Sequence, residues 1–80
     1  MSLRIIIKSA QIGGWIEERR GQPARRRNTD SDLSVLFDGD KADYETMSVN
    51  ELVEVMRANN LVLLVDQEAG KTFHKFVRHG

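Results

Sequence analysis

Cysteine is absent from this 80-residue chain, which excludes disulfides and every thiolate metal site. The fold must hold by packing alone, and the cytoplasm, where nothing depends on oxidation, is the expected location. Long hydrophobic runs are missing too. The longest, residues 5–7 and 61–65, are too short to cross a bilayer or to form the core of a signal peptide, so neither a membrane partner nor a targeting segment is expected. Proline occurs once, at Pro23, and aromatic residues make up 6% of the chain. A chain of this size buries only about 60–65% of its unfolded surface, so one small domain over 1–80 is expected, without room for a large catalytic cleft.

Net charge is also lacking, because twelve basic and twelve acidic side chains cancel. Their distribution is uneven. Residues 1–27 carry seven basic and two acidic side chains, residues 28–70 two and ten, and residues 71–80 three and none. Five of the twelve basic residues crowd into positions 19–27, as Arg19, Arg20, Arg25, Arg26 and Arg27. Such a cluster can leave an electrostatic footprint on a neutral protein.

What is present reads as alternating helices and hairpins. Residues 3–8, "LRIIIK", are β-branched and strand-like, with Leu3, Ile5 and Ile7 on one face. Ser9 stands where an N-cap would, and Ile12, Trp15 and Ile16 share the face of a helix expected over 10–20. Gly21 and Pro23 end it, with Arg19 and Arg20 placed where the helix dipole favours cations. Residues 24–28 and 33–38 flank the turn-rich "TDSD" as a hairpin, and "DGDKADYE" reads as a polar surface loop. Ser48 and Glu51 have the spacing of a capping box, opening a second helix with Leu52, Val53 and Met56 on its apolar face. After Asn59 and Asn60, "LVLLV" and "TFHKFV" form a second hairpin around "DQEAGK". The expected order is β-α-β-β-α-β-β, an α+β domain of two layers. Two helices lie on one face of a mostly antiparallel sheet of four strands, or five if residues 3–8 pair.

No motif carries chemistry. "AGKT" at 69–72 resembles the end of a phosphate-binding loop, but Val65 stands where the first glycine is needed and a strand follows in place of a helix. "DGDKADYE" lacks the sixth-position glycine of a calcium loop. His74 and His79 have no cysteine to complete a zinc site, and none of the serines adjoins a histidine that could serve as its base. No metal, no cofactor and no enzymatic activity are expected.

From Trp15 onward, "WIEERRGQPA", "SVNELVEVMRANNLVLL" and "FHKFVR" resemble a family of short bacterial proteins often labelled "1,4-alpha-glucan branching enzyme", a label at odds with their size. The resemblance spans about residues 12–78. Its matching residues mostly cap and turn the chain, so it implies a shared architecture and supplies no catalytic or binding residue. Gly13, Gly14, Arg25 to Arg27 and Val49 depart from the family pattern.

Three functions are compatible with this reading. The first is a non-enzymatic protein-interaction domain. If Leu33, Val35, Phe37, Phe73 and Val77 pack under the helices, then Leu36, Phe76 and either Val62 or Leu64 line the opposite sheet face, for a homodimer or another protein to cover. The second is weak, sequence-independent nucleic-acid binding through Arg25, Arg26 and Arg27 with Arg19 and Arg20, disfavoured because alternate strand residues point to opposite faces. Asp30, Asp32 and Asp38 are also expected to neutralise those arginines. The third is a small inhibitor encoded by a mobile element, suggested only by size and charge blocks.

Overall fold

The computed structural model describes residues 1–29, 32–37, 39 and 42–79. Among them, two helices and six strands run in the order β1 (Leu3–Ile6), α1 (Ser9–Glu18), β2 (Gln22–Arg26), β3 (Leu33–Leu36), β4 (Tyr44–Thr46), α2 (Val49–Ala58), β5 (Leu61–Asp66) and β6 (His74–Arg78). Every strand pairing is antiparallel. The protein is therefore of the expected α+β class, with its strands divided between two three-stranded sheets, β1-β5-β6 and β3-β2-β4.

α2 forms as its capping box dictates. The Ser48 Oγ accepts from the Glu51 N–H at 3.1 Å, the Glu51 carboxylate accepts from the Ser48 N–H at 3.4 Å, and Leu52, Val53 and Met56 are buried. α1 begins one residue earlier than its sequence suggests. Lys8 is the N-cap, and the Gln11 side chain accepts from the Lys8 N–H at 3.4 Å. At its other end Arg20, not Gly21, takes the left-handed backbone (φ 55°), while the Gly21 N–H closes the last turn on the Ile16 carbonyl at 2.9 Å. Gly21 is required for room: a Cβ there would stand 2.7 Å from Val35 Cγ1 and 2.9 Å from Phe37 Cε1.

One strand arises where a surface loop was expected. β4 overlaps the end of "DGDKADYE", and Ala24, Arg25 and Arg26 of β2 face its Thr46, Glu45 and Tyr44. The centre of the expected "TDSD" turn, residues 30 and 31, lies outside the described residues.

The core joins both sheets and both helices. Ile6 of β1, Ile12, Trp15 and Ile16 of α1, Leu33 and Val35 of β3, Leu52, Val53 and Met56 of α2, and Leu63 and Val65 of β5 pack together. Each such side chain contributes about 1.5–3 kcal/mol through burial. β6 enters this core in a register opposite to the one expected. Phe76 pairs with Leu63 and packs inward, while Val77 faces outward beside Val62. His74 explains the choice: its ring lies 5.6 Å from Phe37 and 6.0 Å from Trp15, and its Nε2 accepts from the Val35 N–H at 3.3 Å. That bond ties β6 of one sheet to β3 of the other.

Candidate functional site

Strand alternation gives the β1-β5-β6 sheet an inner face on the core and an outer face away from it. On the outer face, register places Ile5, Leu64 and Lys75 in one row. One residue past β1 the alternation brings Ile7 beside Val62 and Val77, at the end of the sheet where Ile7 and Val62 also line a groove with Val53 and Met56 of α2. It puts Leu3, Asp66 and Phe73 on the other side, where the Asp66 N–H donates to the Phe73 carbonyl at 3.1 Å. Seven of these nine positions are apolar. Leu3 (47% exposed), Ile5 (56%), Ile7 (56%) and Phe73 (45%) are four of the five large hydrophobic residues exposed among those described. A monomer that scattered such side chains singly would need no explanation, whereas a contiguous group marks an interaction surface.

Asp66, at the end of this face, is only 3% exposed and is held through both its side chain and its carbonyl. Its Oδ1 accepts from the Glu68 N–H at 3.0 Å and the Ser2 N–H at 3.2 Å, and its carbonyl accepts from Trp15 Nε1 at 2.8 Å. The Glu68 amide holds the carboxyl below the usual carboxylate range; burial opposes this, and the Ser2 amide and the positive charges of the Met1 amino group and Lys71 reinforce it.

The residues expected to bind a partner separate. Leu64 does lie on the outer face, half-buried. Phe76 is on the inner face, packed against the core, so it has no place in that surface. Leu36 belongs to the other sheet and, at 5% exposure, offers a partner almost nothing. Leu3, Ile5, Ile7 and Phe73 replace them. The alternation of "LRIIIK" already placed the first three on one face, but nothing in the sequence shows which face the core leaves open.

The basic cluster is dispersed and largely occupied. The Arg19 side chain is 4% exposed, its guanidinium 4.4 Å from the centre of the Trp15 ring, and it donates to the carbonyls of Trp15, Asp66, Glu68 and Lys71. It clamps the 66–71 turn onto α1, a use different from the helix-dipole role expected for it. Arg25 and Arg27 both meet Glu45, at 3.4 and 3.5 Å, and Arg26 lies 3.8 Å from Asp32. Arg20 is exposed at the end of α1. Asp32 pairs as expected, Glu45 reaches the arginines through β4, a strand that no local pattern marks, and Asp30 and Asp38 lie outside the described residues.

Among the described residues no group of three His, Cys, Asp or Glu side chains converges, and no helix is long and apolar enough to cross a membrane. Among the described residues, fold and site together define a small antiparallel α+β domain with an apolar sheet face that carries exposed Leu3, Ile5, Ile7 and Phe73. Known protein families, curated proteins and solved structures give no match to this chain.

Proposed function

We propose that this chain is a non-enzymatic protein-interaction module whose docking surface is the outer face of the β1-β5-β6 sheet. The reading rests on one observation, the gathering of the exposed Leu3, Ile5, Ile7 and Phe73 on a single face with the half-buried Leu64 and Val77 between them and Val62 buried among them. Absence of cysteine and the resemblance to short bacterial proteins support a bacterial cytoplasmic setting, and the resemblance adds no activity to it. The basic cluster supports nucleic-acid binding less well, since Arg19 is buried and Arg25, Arg26 and Arg27 each have an acidic partner.

Affinity capture from host lysate, with and without nuclease, tests the reading when wild type is compared with an Ile5→Lys, Phe73→Lys double variant. Both positions are exposed, so the melting temperature should change little. Wild type should retain protein regardless of nuclease and the double variant should lose it. Equal retention by a folded double variant, or retention that nuclease abolishes, would overturn the proposal.

A further inference from the structure

The outer face continues into an open sheet edge. The Gln67 N–H donates to the Ser2 carbonyl at 2.7 Å, marking residues 2 and 67 as a hydrogen-bonded pair of the antiparallel ladder. Such pairs alternate, so Arg4 with Val65 and Ile6 with Leu63 are bonded likewise. The N–H and C=O groups of Leu3 and Ile5 therefore point away from β5, and among the described residues no strand pairs with that side of β1. Beside this edge, on the inner side, runs a groove of about 260 Å³ lined by Arg4 and Ile6 of β1 and by Ala10, Gln11, Gly14 and Glu18 of α1. A Cβ added to Gly14 would meet nothing within 4 Å. The edge thus offers an incoming strand free backbone groups, an apolar strip outside and a groove inside, which are the requirements of strand addition.

We propose that the occupant is a second copy of this chain, adding its own β1 antiparallel across a two-fold axis at Ile5. This rests on reading the outer face as a docking surface and names what covers its β1 side. The charges select the partner and the register. With Ile5 opposite Ile5 of the second copy, Leu3 faces Ile7, Arg4 faces Ile6 and Ser2 faces Lys8, so the outward-facing pairs are all apolar and no like charges stand directly opposite. Sliding two residues one way sets Arg4 against Arg4, and sliding two the other way sets Arg4 against Lys8; both are destabilising. The Ile5 register also carries Lys8 of one copy toward the Ser2 end of the other, where Glu18 lines the groove. Two three-stranded sheets become one of six strands, and the Leu3, Ile5 and Ile7 strips of the two copies merge. An unprotected apolar edge strand, otherwise an aggregation site, is closed by symmetry.

Sedimentation equilibrium across a wide concentration range, together with amide hydrogen exchange, tests the arrangement. Wild type and Phe73→Lys should both reach twice the mass of one chain, Ile5→Pro should stay monomeric, and the Leu3 and Ile5 amides should become protected as concentration rises. A wild type that remains monomeric with both amides unprotected would overturn the inference and leave the docking face for a different protein. A dimer abolished by Phe73→Lys but kept by Ile5→Pro would overturn the edge pairing while retaining the face as the contact. Should Ile5→Pro fail to fold, exchange at Leu3 and Ile5 in the unaltered chain decides.

Discussion

At the residue scale, several segments meet at Asp66. Its carbonyl takes the Trp15 indole N–H and the Arg19 guanidinium, and its carboxylate takes the Ser2 and Glu68 amides. Little of this was legible in the sequence. Trp15 announced itself as a core residue by its spacing from Ile12 and Ile16, and it is buried. Arg19 did not, because its Asp66, Glu68 and Lys71 acceptors are backbone carbonyls about fifty positions away, which no local pattern encodes. The carboxylate yields a signed prediction. Its folded pKa lies below the ordinary value, so its contribution is present above the unfolded pKa and is lost as pH falls through the folded one. Asp66→Asn keeps an oxygen to accept both amides but carries no charge. The variant should be less stable than wild type at neutral pH, with the gap closing below about pH 4. Urea midpoints measured down the pH scale check this, and a gap that ignores pH would refute the charge argument.

At the element scale, legibility followed how far each element depends on its own residues. α2 carries its start signal locally in Ser48 and Glu51, and both halves of the capping box are made. Ser48→Ala should therefore cost about 1 kcal/mol, readable as a lowered thermal midpoint, because the Glu51 N–H loses its side-chain acceptor. An unchanged midpoint would mean that tertiary packing alone holds the helix end. β4 has no such signal. "YET" is three residues at the end of an acidic stretch and exists as a strand because β2 pairs with it. β6 was ambiguous for a different reason: Phe73 and Phe76 are three apart and cannot share a strand face, so either phase buries one aromatic. Inward packing of His74 and Phe76 settles the phase, and Phe73 is left outside.

At the scale of the whole molecule, the arginines crowded between positions 19 and 27 are divided among different surroundings. The chain turns after α1, burying Arg19 against Trp15, and β2 then sends Arg25 and Arg26 to opposite faces. Glu45, supplied by the strand the sequence concealed, meets both Arg25 and Arg27. These pairs are exposed enough to add at most about 1 kcal/mol each to stability, so their main consequence is charge cancellation. That cancellation can be tested by removing its centre. Wild type should show no affinity for random-sequence duplex DNA at physiological salt. Glu45→Gln leaves Arg25 and Arg27 without their carboxylate and should gain weak binding at low salt. Two freed phosphate contacts predict a slope of log affinity against log salt of about −1.8, from about 0.9 per phosphate. A titration by fluorescence anisotropy at several salt concentrations reads both quantities. Tight binding by wild type, or a Glu45→Gln variant that binds no better than wild type at any salt, would show that Glu45 does not govern the charge of this surface.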